Sequence, residues 1–168
     1  SDPFRQGGLT LLTSFFLHGG LWHLLGNGYF LFVFGDNVED LLGAGSFLLL
    51  LFGAAVTGDA AHVLLARDAS VPCVGASGGI AGVLAFYAAA MPQARIRLFV
   101  GRFGLGSWLC ISVRVAFGLW IGLQLIGAWL QVHGQGHVSY LAHLGGAALG
   151  LGWWLCWRWK PREVSRKE

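Results

Sequence analysis

Long apolar runs separated by short polar segments divide this chain into five helix-length stretches. The predicted helices cover residues 18–34, 47–65, 77–90, 112–132 and 138–157. Polar or glycine-rich residues lie between them, in a predicted turn at 35–46, loops at 66–76 and 94–109, and a turn at 133–137. Runs of this length and apolarity predict an all-α, polytopic membrane helix bundle.

The composition makes a membrane setting necessary. Of the 168 residues 55% are hydrophobic and 11% charged, whereas a soluble domain has about 25% charged residues. The net charge of +3 arises mostly from a basic tail, which indicates topology rather than a nucleic-acid partner. Positive charge in the 94–109 loop and in the tail places both on the cytoplasmic side, so residues 1–17 face outward.

The predicted helix at 77–90 is too short to cross a bilayer. At about 1.5 Å per residue it spans about 20 Å, against a hydrocarbon thickness of about 30 Å. If its far end is anchored by Pro92, its first residue, Ser77, lies below the membrane surface. The non-helical residues before it are tolerable at that depth only if they line a wet cavity within the protein.

The apolar stretch at 18–34 also carries polar side chains. His23 and Asn27 are four residues apart and share one helix face. Polar groups inside membrane spans are costly and usually functional. The alternative is that Asn27 joins two helices and that His23 caps a neighbouring carbonyl.

Small residues offer a way to bring His143 to Ser77. Gly146 and Gly150 form a small-xxx-small face, as Gly78 and Gly82 do. Such motifs usually indicate only close packing, but each of these begins one to three residues after a reactive side chain. We therefore expect the two faces to pack together and to place His143 beside Ser77.

The residue types fit nucleophilic catalysis. A serine hydroxyl needs a base, and neutral histidine can serve. An oxyanion needs fixed donors, for which His23, Asn27 and the Ser77 amide are candidates. Asp59 is the single acid well inside a predicted span, so we expect a Ser–His dyad without a carboxylate.

The sequence predicts neither a metal site nor a cofactor. It contains no Cys-x-x-Cys and no His-Glu-x-x-His motif. Cys73, Cys110 and Cys156 have no paired spacing, and we expect all three to be unbridged.

Four strings, in order, resemble the rhomboid intramembrane serine proteases. They are HGGLWHLLGN at 18–27, GDNVED at 35–40, VGASGG at 74–79 and AHLGG at 142–146. Together they cover most of the chain from His18 to Trp157.

This resemblance implies a bundle of six core helices, of which five are visible and the first is missing. It implies that Ser77 is the nucleophile and His143 the general base, with His23, Asn27 and Gly75 supporting the oxyanion. The implied substrates are single-pass membrane proteins, cleaved within the lipid bilayer. The expected organisation is a loop end at 1–17, a protease domain at 18–159 and a cytoplasmic tail at 160–168, in a bacterial inner membrane.

One position departs from the family pattern. Many members have an aromatic residue four positions after the serine, where it supports the histidine ring, and here that position is Ala81. Phe86, Tyr87 or Tyr140 would have to substitute, or nothing does.

Three other functions compete with proteolysis. An inactive relative that binds membrane proteins would usually lack the serine or the histidine. A soluble hydrolase with a G-x-S-x-G turn would need a strand before the serine and an acid before the histidine. A transporter would not require a serine paired with a histidine, and no inverted repeat is visible.

Overall fold

A computed structural model describes residues 9–66, 74–102, 105–134 and 138–159. Its helices are α1 (Leu9–Thr13), α2 (Leu21–Leu42), α3 (Ala44–Leu65), α4 (Ser77–Ala90), α5 (Val113–Val132) and α6 (Tyr140–Arg158). A 3-10 turn (Ser14–Phe16) follows α1, and two strands, β1 (Arg95–Arg102) and β2 (Leu105–Ser112), precede α5. The predicted basic tail at 160–168 and Cys73 lie outside the described residues.

The predicted helical bundle is confirmed, and α4 has the predicted bounds. Helices α3 and α5 are long and apolar enough to cross a membrane by length and composition alone. Helices α2 and α6, with 22 and 19 residues, are of similar length but carry more polar residues. With 14 residues, α4 is about 21 Å long and about 9 Å shorter than the hydrocarbon layer.

The polar turn predicted at 35–46 is wrong, because α2 continues to Leu42. Phe34 and Val38 lie four residues apart and are buried, while Asp36 and Glu39 are exposed on the other side. This spacing is that of an amphipathic helix, so the polar residues lie on its exposed side and do not end it. The chain instead reverses at Gly43, whose φ of 75° lies in the left-handed region that favours glycine.

The loop predicted at 94–109 is also wrong, because most of it forms an antiparallel β-hairpin. β1 and β2 pair from Arg95 opposite Ser112 to Arg102 opposite Leu105. Polar and apolar residues alternate at the start of β1, which is the period of a strand with two unlike faces.

Close backbone packing brings α3, α4 and α6 together as three mutually contacting helices. A Cβ added at Gly146 would overlap the carbonyl oxygen of Gly78, and one added at Gly150 would overlap that of Gly82. A Cβ at Gly82 would overlap the side chain of Ala54 on α3. The predicted packing of the two glycine faces is therefore confirmed, and it fixes the axial register of α4 and α6.

Candidate active site

The helix register set by the glycines brings Ser77 to His143. Ser77 is the first residue of α4, and His143 lies one turn into α6. The Ser77 hydroxyl donates to His143 Nε2 across 2.9 Å. The two side chains are half-buried, so the pair is enclosed by helices but remains open to a reacting molecule.

A glutamine on α5 holds the other side of the imidazole. The Nδ1–H of His143 donates to Gln124 Oε1 across 2.8 Å, and Gln124 is only 6% exposed. Because Nδ1 carries the proton, Nε2 presents its lone pair to the serine. The contact therefore selects the tautomer in which histidine can act as a base.

Aromatic rings border the imidazole from two helices. The Trp120 ring on α5 lies 6.1 Å from that of His143 and is tilted by 34°, and the Tyr140 ring lies edge-on at 6.5 Å. Of the three rings suggested to compensate for Ala81, only Tyr140 is therefore near the histidine. Phe86 packs on Trp157 and Tyr87 packs on Phe34, because both belong to the C-terminal half of α4.

His23 and Asn27 of α2 meet the segment that leads into Ser77. A Cβ added at Gly75 would lie 3.0 Å from His23 Nε2 and 3.3 Å from Asn27 Nδ2. Gly75 has a φ of 111°, so both the space and the backbone conformation at this position favour glycine. The shared helix face of His23 and Asn27 is thus directed at residues 74–76, the serine loop, which lead into Ser77.

Both side chains can present a donor there. The backbone N–H of Gly19 donates to His23 Nδ1 across 3.3 Å, which leaves the proton of a neutral ring on Nε2, the atom nearest Gly75 after Cε1. Asn27 Nδ2 is buried and has no hydrogen-bond partner among the described residues. A buried amide donor without a partner is costly, and a bound acceptor would satisfy it.

The loop before Ser77 is fixed by Ser14, which the sequence did not single out. The carbonyl of Ser14 accepts the N–H of Gly75 across 2.9 Å, so that amide is already occupied and Gly75 contributes by its shape. The Ser14 hydroxyl donates to Asp59 Oδ2 across 2.6 Å. Asp59 thus supports the serine loop through Ser14. The side chain that holds His143 on the side away from Ser77 is Gln124.

A second polar cluster lies where α3 and α5 end and α6 begins. His62 Nδ1 on α3 is 2.8 Å from the Ser139 hydroxyl and 3.0 Å from Gln131 Nε2 on α5. Gln131 Oε1 accepts the N–H of Leu141 across 3.0 Å. These contacts anchor the first turn of α6, one turn before His143.

Sequence reasoning missed Gln124, although a signal was present. Gln124 is a solitary polar residue in the middle of the apolar α5, and such residues seldom face lipid. What the sequence could not supply was the rotation of α5 about its axis, which decides whether position 124 faces α6.

Within the described ranges, no group of three or more histidine, cysteine or acidic residues lies together as a metal site would require. Cys110 and Cys156 are exposed free thiols. The site that the structure does assemble is therefore made of hydroxyl, imidazole and carboxamide groups.

The fold and the site define a helical membrane protein with a serine and a histidine in contact at the start of a short central helix. The Rhomboid domain family matches residues 5–159. The chain belongs to the rhomboid family.

Individual relatives with rhomboid names support this family membership. The chain is 34% identical over 153 residues to the yeast (Saccharomyces cerevisiae) rhomboid protein 1, mitochondrial, covering 88% of this chain and 42% of that protein. It is 32% identical over 147 residues to the rhomboid protease GluP of Bacillus subtilis, covering 84% and 26%. It is 28% identical over 160 residues to the human presenilin-associated rhomboid-like protein, mitochondrial, covering 91% and 40%.

The chain spans less than half the length of these curated relatives. The expectation of a bacterial inner membrane is not supported by the comparisons, because the yeast and human relatives are named mitochondrial. Membrane location itself follows from the family and the helices.

Proposed function

We propose that this chain is an intramembrane serine endopeptidase that cleaves single-pass membrane proteins. The observation that carries the proposal is the Ser77 hydroxyl, 2.9 Å from a histidine whose other nitrogen is held by Gln124. The unit we assign to proteolysis is residues 18–159, with 1–17 outside it and the tail at 160–168 in the cytoplasm.

Attack begins with proton transfer from Ser77. As Oγ forms a bond with the substrate carbonyl carbon, its proton passes to His143 Nε2. The imidazolium that results keeps its Nδ1–H on Gln124 Oε1. A neutral carboxamide stabilises this cation less than a carboxylate would, but it keeps the ring in place.

Three donors converge where the carbonyl oxygen becomes negative. The Ser77 amide belongs to the first turn of α4, whose N–H groups have no intrahelical acceptor and lie at the positive end of the helix dipole. Asn27 Nδ2–H and His23 Nε2–H approach from α2. Fixed donors of this kind act most strongly on the charge that develops in the transition state.

The cycle closes with water. His143 gives its proton to the leaving nitrogen, which breaks the peptide bond and leaves an ester on Ser77. Water then loses a proton to His143 and attacks the ester, and Ser77 is released with its hydroxyl restored. Because α4 begins below the outer surface, the scissile bond must lie within the outer part of the bilayer.

Purified protein in lipid vesicles with a single-pass substrate tests this function. We expect a cut within the outer half of the substrate span, mapped by mass spectrometry of the two fragments. The alternative is an inactive rhomboid protein that binds membrane proteins. It would retain the substrate on co-purification and yield no fragments.

Replacing Gln124 by leucine should lower kcat while leaving KM unchanged, because Gln124 lies behind the histidine and away from the substrate. The lost contact is to a group that becomes charged, worth about 1.5–3 kcal/mol, or roughly a 10- to 100-fold slower rate. Steady-state cleavage kinetics measure the effect. Gln124→Glu retains the acceptor and should recover most of kcat; equal loss in both variants would assign Gln124 a packing role.

Replacing Asn27 by alanine should slow cleavage without abolishing it, since one oxyanion donor contributes roughly 3–4 kcal/mol at most. The matched control is Asn37→Ala on the same helix, where the side chain donates to the carbonyl of Val33. Cleavage rates for the two variants should differ by at least tenfold. Unchanged kinetics in Asn27→Ala would make that residue structural.

A further inference from the structure

The β-hairpin between α4 and α5 has two chemically different faces. Residues paired across the strands share a face, so Arg95 and Arg97 lie on one side with Cys110, which is opposite Arg97. Ile96 opposite Ile111 belongs to the other side, together with Val100. At its base the hairpin therefore presents arginines on one face and aliphatic side chains on the other.

Among the side chains that the structure describes, the aliphatic face is covered at its base and exposed further along the strands. Ile96 packs against the main core, but Val100 is 57% exposed and Leu109 is 49% exposed. Trp108, on the arginine side, is 67% exposed. An isolated two-stranded hairpin is marginally stable in water, and these exposed apolar residues make it a poor aqueous structure.

Both ends of the hairpin are tied to the membrane helices. β1 begins five residues after α4 ends at Ala90, and β2 runs directly into α5. The Ser112 hydroxyl, at the end of β2, accepts the N–H of Val115 and caps α5. The strands therefore begin beside the C-terminal end of α4 and the N-terminal end of α5.

The charge of this region has one sign. Residues 91–134 contain four arginines and neither aspartate nor glutamate. Arg95, Arg97 and Arg114 are exposed. A surface of this kind complements an anionic one, and the headgroups of acidic phospholipids are an anionic surface that a membrane itself supplies.

We propose that the hairpin lies on the membrane as a lipid-binding element that recognises anionic phospholipids. Val100, Leu109 and the aliphatic face enter the boundary between headgroups and acyl chains, as the apolar face of an interfacial helix does. Arg95 and Arg97 reach the phosphates from the other face by extending their long side chains. The proposal does not depend on proteolysis.

Neighbouring residues on opposite faces provide the test. One variant carries a nitroxide label on native Cys110, with Cys73 and Cys156 replaced by serine. The other combines Leu109→Cys with all three native cysteines replaced by serine. Each is reconstituted in vesicles of phosphatidylcholine and phosphatidylglycerol, and the label's collisions with oxygen and with a water-soluble nickel chelate are compared by electron paramagnetic resonance.

We expect the ratio of oxygen to nickel collisions to be several-fold higher at position 109 than at 110. Arg95→Gln combined with Arg97→Gln should lower the ratio of docked to undocked hairpin about 30-fold, from about a fivefold effect per arginine. In vesicles of phosphatidylcholine alone, the ratio of docked to undocked hairpin should also be lower. Val100→Cys repeats the measurement should Leu109→Cys fail to yield a folded protein by gel filtration.

Two results would overturn the proposal. Water-like collision ratios at both 109 and 110 in the acidic vesicles would place the hairpin in the aqueous phase, where a protein partner would be its occupant. A buried label at 109 that is indifferent to phosphatidylglycerol and to both arginine substitutions would exclude recognition of anionic lipid.

Discussion

Replacing either Ser77 or His143 by alanine should lower kcat for cleavage of a single-pass substrate by about 10⁴-fold or more. The two residues act as one unit, because the serine is a weak nucleophile unless the histidine removes its proton. The double variant should therefore be no slower than the slower single variant. Independent roles would instead multiply the two losses.

A fluorophosphonate probe separates the nucleophile from the fold. Its phosphorus bonds to an activated serine oxygen and fluoride departs, so labelling reports the reactive hydroxyl alone. We expect the label on Ser77, measured by peptide mass spectrometry, and none in Ser77→Ala. Ser107→Ala, on the exposed hairpin, is the matched control and should label as wild type does. Label that persists in Ser77→Ala would place the nucleophile elsewhere.

The features that the sequence predicted well were those with a fixed period or length. Gly146 and Gly150 lie one turn apart, so their face could be inferred and its partner sought among similar pairs. The length of α4 follows from Ser77 and Pro92 alone. Since the packing of these faces also sets the axial register, the proximity of His143 to Ser77 came with it.

Contacts that depend on helix rotation or on a change of element type escaped prediction. Gln124 reaches His143 only because α5 turns that face toward α6, and an almost uniformly apolar helix has no pattern that reveals its orientation. The polar residues at 35–42 led to the prediction of a turn. The buried Val38 shows that the helical spacing of the apolar residues decided the structure instead. In the hairpin, polar and apolar residues alternate around Ile96, but the arginines there were taken as evidence for a loop.

The Ser14 contact shows a further limit. Ser14 lies 63 residues before Ser77 in sequence, and nothing in its local sequence indicates that it binds both Gly75 and Asp59. Such long-range polar contacts depend on the finished arrangement of α1, α3 and the serine loop. They could be identified only from the folded structure.

Replacing Gly146 by alanine should destabilise the bundle and disrupt the dyad together. The new methyl group would overlap the carbonyl oxygen of Gly78 and lie 2.8 Å from its carbonyl carbon. Backbone atoms cannot rotate away as a side chain can, so α6 must shift away from α4. Overpacking of this type costs about 1–3 kcal/mol, and here we expect the upper end.

Gly152→Ala, on the same helix, is the matched control, because a Cβ there meets nothing within 4 Å among the described residues. Unfolding of the two variants in mixed detergent micelles measures the difference, and the probe reaction at Ser77 reports the site. Gly78 adjoins Ser77, so a shift of α6 moves His143 away from the hydroxyl, and labelling should fall even where Gly146→Ala remains folded. Wild-type stability together with wild-type labelling in Gly146→Ala would mean that α4 and α6 can separate without cost. The glycine faces would then not be what holds the dyad together.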